Sequence, residues 1–377
     1  MRLTEEQRLL RDTAHDVAQN LLAPQAAEWD REARFPKEAL AELGRLGFMG
    51  MLVPEEHGGA GADHIAYAVV IEEIAAADGA TSTIVAVNSL CCAAIEKFAS
   101  EEQKRRFLTP MAKGDMLAAF CLTEPHTGSD AGAIKTRARR RGNRWVLNGT
   151  KQFITSGSTA RVALVFAVTD PAQGSKGISA FIVPTDTEGY RVARLEHKLG
   201  QRASDTAQLV FDDMELTPDL MLGGEGDGYR IALANLEGGR IGIAAQSLGM
   251  ARASYEAALA YAKERAAFGR KIIEHQAVAF RLADMATQLA ASRGLILEAA
   301  ALRDAGEPCL QAAAMAKLFA SEMAERVASD AIQIHGGYGY LADFPVERIY
   351  RDVRVCQIYE GTSDIQRLLI VREIAKR

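Results

Sequence analysis

The hydrophobic period of this chain changes twice, and that order of patterns limits the fold more than any single motif. Up to about residue 115 apolar residues recur at helical spacing: Thr4 and Gln7 predict a capping box, and Leu9, Leu10, Val17 and Leu21 follow. Pro36 predicts the start of a second helix, the Gly/Pro-rich residues 53–61 predict a loop, and Ala-rich segments around 64–77 and 81–98 continue the helical pattern. Between about 117 and 215 the chain carries short β-prone runs, Arg144–Leu147, Val162–Val168, Ile178–Val183 and Gln208–Phe211. Turn residues such as Asn148-Gly149, Gly174 and Glu188-Gly189 punctuate them, which predicts a small antiparallel sheet or barrel. After the glycine-rich residues 223–228 the helical period returns in segments near 229–264, 274–304 and 310–335, long enough to pack as a bundle.

The expected organisation is therefore a helical part over 1–116, a β part over 117–225 and a helical bundle over 226–377. Strands grouped in this way disfavour a doubly wound parallel sheet. Neither the 223–228 glycines nor Gly336-Gly337-Tyr338-Gly339 fits a G-x-G-x-x-G turn between strand and helix, so a dinucleotide would have to bind some other way.

Composition removes several classes of function. With 377 residues, 48% of them hydrophobic, the chain can bury a large core and divide into two or three domains. A net charge of −5 argues against nucleic acid as a partner, since that affinity rests on clustered Lys and Arg. The basic run Arg137, Arg139, Arg140, Arg141 and Arg144 reads as a solvated strand edge and turn. The N-terminus shows no apolar core followed by a cleavage site, and charges interrupt the apolar runs, so neither export nor a membrane span is expected. Five cysteines, odd in number and without CxxC spacing, predict reduced thiols and a cytoplasmic location.

The seven histidines form no HExxH or other close ligand pair, so no metal site is predicted. A G-x-S-x-G elbow and a P-loop are also missing from the sequence. What remains is a set of polar clusters. Phe120 to Asp130 runs from an apolar strand into a turn rich in hydroxyls and backbone donors, which can hydrogen-bond a planar heterocycle or serve only as a capped turn. Lys151 to Gly157 sets an aromatic face beside a hydroxyl. In the third cluster, Gln357 to Gln366, Ser363 and Gln366 predict a capping box, with Glu360 in the turn before the helix. A lone carboxylate among Ile358, Tyr359 and Gly361 can be desolvated under a ligand and become a useful base. Stabilisation of the helix N-terminus would account for it equally well.

Taken together, these clusters resemble the acyl-CoA dehydrogenase family over essentially the whole chain. The likeness rests on Thr123-Glu124-Pro125 with Gly128-Ser129-Asp130, Phe153-Ile154-Thr155, Arg265 with Phe268-Gly269, Gln333 with Gly336-Gly337, and Tyr359-Glu360-Gly361-Thr362, all in the family's order. The resemblance implies a mainly α chain with a helical N-terminal domain, a β-barrel middle domain and a C-terminal four-helix bundle. It also implies FAD as cofactor, an electron-transfer flavoprotein as acceptor, and a homotetramer or sometimes a dimer. By the same resemblance Phe120, Leu122, Thr123, Gly128 and Ser129 would line the flavin ring and nearby thioester, with Phe153 and Thr155 against another side. Arg265, Phe268, Gln276, Gln333, Gly336 and Gly337 would hold the pyrophosphate and adenosine, partly across a subunit boundary, and Thr362 with Asp364 would complete the flavin site. Ser129, Glu237, Gly238, Gly239, Arg240, Tyr359 and Gly361 would border the acyl-CoA.

The implied reaction is removal of an α-proton by Glu360 while the β-hydrogen leaves as hydride to flavin N5, converting a short straight or branched acyl-CoA to its trans-2-enoyl-CoA. Some family members carry the base just before the arginine of the helix containing residues 236–240. That position here is Gly239, which assigns the base to Glu360. Phe153 stands where the family often has tryptophan, and His126-Thr127 is bulkier than the usual pair, which affects the loop beside the flavin. Two other readings stay open: a related oxidase or flavin-dependent monooxygenase that uses oxygen, and a non-catalytic helical scaffold.

Overall fold

The computed structural model describes residues 2–376. Helix α1 (Glu5–Val17) opens with the predicted capping box, Thr4 accepting from the Gln7 backbone while the Gln7 side chain reaches back. A π-helical turn, Ala18–Leu22, joins it to α2 (Ala23–Glu32), and α3 (Lys37–Arg45) starts after Pro36. Helices α4 (His64–Ala77) and α5 (Gly79–Phe98) are capped by Asp63 and Asp78, whose carboxylates accept from Ala66 and Thr81 N–H. Two short helices, α6 (Glu101–Gln103) and α7 (Thr109–Ala112), lead into the sheet.

The eight strands of that sheet are β1 (Ala118–Cys121), β2 (Arg137–Arg141), β3 (Arg144–Thr155), β4 (Val162–Val168), β5 (Ile178–Pro184), β6 (Tyr190–Leu195), β7 (Thr206–Leu216) and β8 (Met221–Leu222). They run in the order β6-β7-β3-β2-β4-β5-β8, with β1 beside β4. Two features differ from the expectation. The sheet is mixed, because β1 pairs with β4 in parallel and β2 meets β4 in parallel at Arg137 and Val168. It is also open: β8 has two residues and pairs only with β5, while β6 is mostly exposed and pairs only with β7, so no ladder closes a barrel. The basic run is solvated as expected, but it is not at a sheet edge: β2 lies between β3 and β4, Arg144 opens β3, and Arg140 lies over the Trp145 ring.

The C-terminal part is built on α8 (Gly228–Glu264), α9 (Gln276–Asp304) and α10 (Leu310–His335), with the small ribbon β9 (Ala266–Ala267) and β10 (Arg270–Lys271) after α8. Two shorter helices, α11 (Pro345–Val353) and α12 (Ser363–Ile374), finish the chain.

There are two cores. One joins α1 to α5 with the bundle, and the other fills the sheet and the helices against it. Two helices pass from one core to the other. Ala80, Ile84 and Val85 of α5 belong to the helical core, but Cys91, Cys92 and Ile95 belong to the sheet core. Likewise Ile231 and Ala232 of α8 pack under the sheet, whereas Ile241 to Leu248 lie in the bundle. In the stretches between, Val87 and Leu90 of α5 and Leu233, Leu236, Glu237 and Arg240 of α8 line a cleft, with Val87 also touching the sheet core. Residues 79–95 carry no charge, and α5 is long and apolar enough to cross a bilayer, which corrects the reading that charges break every apolar run. Its most apolar window is 83% buried inside the protein, as suits a helix shared by two cores.

Candidate active site

A cavity of about 570 Å³ opens where α5 and α8 cross between the cores. Val87 and Leu90 of α5, and Leu233, Leu236, Glu237 and Arg240 of α8, form one side. The sheet contributes Phe120, Leu122, Thr123, Gly128, Ser129, Phe153 and Thr155, and the turn before α12 contributes Tyr359, Glu360 and Gly361. Three segments singled out in the sequence, more than 200 residues apart at the extremes, thus meet in one place.

Glu360 has a left-handed backbone, φ +54°, and Gly361 follows at +86°. For a residue with a Cβ this conformation costs ~1–2 kcal/mol and persists only where the surroundings hold it. Here Gln366 Nε2 donates to the carbonyls of Glu360 (3.3 Å) and Gly361 (2.8 Å). The cap of α12 is Thr362, accepting from Ile365 N–H, and not Ser363 as the spacing suggested. Gln366 is spent on the turn's carbonyls instead.

The carboxylate itself is poorly solvated. Glu360 Oε2 is buried without a hydrogen-bond partner. Burial pushes this carboxyl up to about 7, against the opposing pull of Arg240 and Lys317. Arg240 is buried as well, and burial holds its guanidinium below its usual value despite Glu360 and Glu237 nearby. Gly239 makes room for this carboxylate: a Cβ there would come 2.5 Å from Glu360 Oε2. Gly238 meets nothing within 4 Å, and Glu237 is engaged by Cys309 Sγ at 3.0 Å. Beside Glu360, the Tyr359 hydroxyl donates to Gln246 Oε1 and accepts from Gln201 Nε2 at 3.3 Å.

The sheet wall is held by a buried ion pair. Lys151 Nζ lies 2.8 Å from Glu124 Oε1 and donates to the Leu122 carbonyl at 3.1 Å, while Glu124 also accepts from Lys135 and Thr136 N–H. The His126-Thr127 pair is accommodated by the turn: Thr127 Oγ1 donates to the Asp130 carbonyl, and a His126 ring nitrogen lies 3.1 Å from the Ala133 carbonyl. Phe153 has φ +58° and is 64% exposed, so its ring stands free over the cavity wall.

A second group of sequence-predicted residues lies elsewhere. Arg265, Gly336 and Gly337 line a cavity of about 430 Å³ with Tyr261, His335 and Tyr338. Phe268, at φ +53°, is 97% exposed, and Gln276 and Gln333 are exposed too. Asp364 points outward, 3.3 Å from Arg367. Within one chain the two groups do not share a cavity.

Sequence reasoning missed Lys317 and Gln246, both fully buried, and read Gln366, also fully buried, only as a capping-box residue. A signal was present: Lys317 sits on the apolar stripe Ala313, Ala316, Ala320 and Ala324 of α10, and Gln246 lies within the buried run 240–251 of α8. Among the described residues no group of three or more His, Cys, Asp or Glu is placed to hold a metal.

A planar cofactor fits this cleft on the chain's own chemistry. Backbone N–H groups of Thr123, Gly128, Ser129 and Thr362 have no acceptor among the described residues, the Phe153 ring is uncovered, and Glu360, with one unpaired carboxylate oxygen, lines the same cavity as Phe153. A helix–sheet–helix chain with such a cleft is built as a flavin-dependent oxidoreductase. The comparisons with known proteins agree. The acyl-CoA dehydrogenase N-terminal, middle and C-terminal domains match residues 4–115, 119–214 and 226–375. The mitochondrial short-chain specific acyl-CoA dehydrogenase of Mus musculus is 47% identical over 375 residues, covering 99% of this chain and 91% of that one. Butyryl-CoA dehydrogenase from Megasphaera elsdenii superposes with a TM-score of 0.98 at 40% identity, covering 100% and 99% of the two chains. A chain from a structure of the electron transferring flavoprotein of Acidaminococcus fermentans gives 0.99 at 44% identity over the full length of both. This chain belongs to the acyl-CoA dehydrogenase family.

Proposed function

We propose that this protein dehydrogenates a short acyl-CoA thioester between Cα and Cβ, with Glu360 as the base and electrons passed on to an electron-transfer flavoprotein. The observation that carries this reading is one unpaired, buried carboxylate oxygen in a cavity between the two cores that Glu360 shares with Thr123, Gly128 and Ser129, whose N–H groups have no acceptor among the described residues. FAD supplies the hydride acceptor. Phe120, Leu122, Thr123, Gly128, Ser129, Phe153 and Thr155 would hold its ring system, and Thr362, next to Gly361 in the turn, would add its backbone N–H.

The protein's own contribution is positional and electrostatic. Glu360 takes the α-proton from the thioester, and its raised acidity range suits a base working near neutral pH. The Glu360 N–H has no acceptor among the described residues and can donate to the thioester carbonyl, where negative charge gathers as the proton leaves. Arg240 keeps the ionised base tolerable in a dry site. Val87, Leu90, Leu233 and Leu236 give the acyl chain an apolar bed and exclude water. The short-chain preference is supported by the names of the relatives, not by any one contact. We assign Arg265, Phe268, Gln276, Gln333, Gly336 and Gly337 to the cofactor of a partner copy in a homotetramer, because Arg265, Gly336 and Gly337 line a separate cavity and Phe268, Gln276 and Gln333 are exposed away from the Glu360 cleft. Five free, buried cysteines fit the cytoplasm.

Anaerobic addition of butyryl-CoA tests the assignment: the flavin should bleach in the native enzyme and stay oxidised in Glu360→Gln. Equal bleaching in both would remove Glu360 as base, and rapid oxygen uptake with substrate would move the enzyme to the oxidase class.

A further inference from the structure

Two lysines in this protein are completely buried. Lys151 has its carboxylate, Glu124, at 2.8 Å. Lys317 has no ion-pair partner among the described residues; its Nζ donates to the Gly361 carbonyl at 2.6 Å. An ammonium without a counter-ion is costly to bury, so a neutral methionine would serve the α10 stripe better if packing were the only demand.

The geometry shows what the charge is set against. The Gly361 carbonyl receives two donors from beneath, Lys317 Nζ and Gln366 Nε2, and Gln366 also reaches the Glu360 carbonyl. These are the two peptide units of the left-handed pair at 360 and 361. In a trans peptide the N–H points opposite to the C=O, so tying both carbonyls toward α10 and α12 turns the Gly361 and Thr362 N–H groups the other way. The charged groups facing Lys317 are Glu360 in the turn and Arg240 on α8, with the Cys356 thiol before the turn. Glu360 Oε2 has no hydrogen bond of its own.

We propose that Lys317 is the positioning residue of the base: its ammonium clamps the Gly361 carbonyl, holds the 359–362 turn in its left-handed form, and helps keep Glu360 ionised. The clamp rests on Glu360 acting as the base. Burial brings Lys317 down to about 8, with Cys356 and Glu360 opposing the fall and Arg240 adding to it. The sign follows. As pH rises past about 7 Glu360 becomes competent, and as it rises past about 8 Lys317 loses its charge and the clamp weakens. Flavin reduction should therefore peak between these values and fall on the alkaline side.

The test is the rate of flavin reduction by butyryl-CoA against pH in FAD-loaded native enzyme, Lys317→Met and Lys317→Arg, with FAD content and crotonyl-CoA affinity measured alongside. Lys317→Met should keep FAD and crotonyl-CoA binding within about twofold, and its acid limb should move up by about one pH unit. A one-unit rise cuts the ionised share of the base at pH 7 from about a half to about a tenth, so the rate there should fall about fivefold. The alkaline fall should disappear. Lys317→Arg, permanently charged, should keep the acid limb near its native position and also lose the alkaline fall. A Lys317→Met profile superposable on the native one overturns the proposal, as does a uniform loss of FAD and rate with no shift in pH. If neither variant folds, the native profile decides: a rate flat from pH 8 to 10 overturns it. A Glu360→Gln control separates the two failures, because undiminished reduction there sinks the base assignment and not only the clamp.

Discussion

A Cβ on Gly239 would lie 2.5 Å from Oε2 of Glu360, so the two positions compete for the same space. One family arrangement puts the base at the former and another at the latter, and this chain leaves the helix position empty.

Gly239→Ala should therefore slow flavin reduction by butyryl-CoA about ten- to a hundredfold by pushing the carboxylate aside. Its stability should not drop, since Ala is favoured over Gly within a helix by about 0.5–1 kcal/mol. Stopped-flow reduction and thermal melting of the same sample check both halves. A slow variant with a lowered melting temperature would point to misfolding instead.

Glu360 also ties activity to stability. Its folded-state acidity range lies above that of a free carboxyl, so the folded protein is favoured below about 4.5 and loses that advantage as pH rises through about 7. Glu360→Gln does not titrate. It should melt with the native enzyme at low pH and gain about 1–2 kcal/mol over it at pH 8, a figure reduced for the partial exposure of the residue. Melting curves of the two proteins at pH 5 and pH 8 read this difference, and parallel curves at both would contradict it.

The Lys151–Glu124 pair is buried in the sheet wall. Lys151→Met strands a buried carboxylate and should cost about 3–5 kcal/mol, with loss of FAD as the Leu122 carbonyl is released. The double variant with Glu124→Gln should recover part of that loss. Denaturant unfolding of the three variants tests the pair, and strictly additive losses would mean that the two groups act independently.

Phe153 combines an exposed ring with a left-handed backbone. Phe153→Gly removes the ring and relieves the backbone together, so apoprotein stability should hold or rise by about 1 kcal/mol while FAD binding weakens at least about tenfold. Titration of apoprotein with FAD, followed by flavin fluorescence, measures the second effect. Unchanged affinity would remove Phe153 from the flavin site.

Much of this was legible in the sequence, and the remainder was hidden for identifiable reasons. Helices α8, α9 and α10 begin and end within a few residues of their predicted bounds because long periodic segments carry strong signals. Strands β6 and β8 were not read: one is almost wholly exposed and the other is two residues long, so neither shows alternation. The parallel pairing of β1 with β4 depends on contacts between distant segments, which local pattern does not encode. Glu360 was found through the residues around it, while Lys317 was overlooked although it interrupts an alanine stripe. A charged residue on the inward face of a helix was the signal, and its meaning required knowing that the Gly361 carbonyl lay beneath it.

The separation of the two cavities has a genetic consequence. If the Arg265 cavity serves a neighbouring copy, each working centre draws on two chains, and damage to one centre need not travel with damage to the other. Purified Arg265→Ala and Glu360→Gln enzymes, each inert alone, should regain up to about a quarter of native turnover when unfolded together and reassembled, the share expected from random pairing of intact halves. Two alleles that each abolish growth on a fatty acid could then sustain it in the same cell.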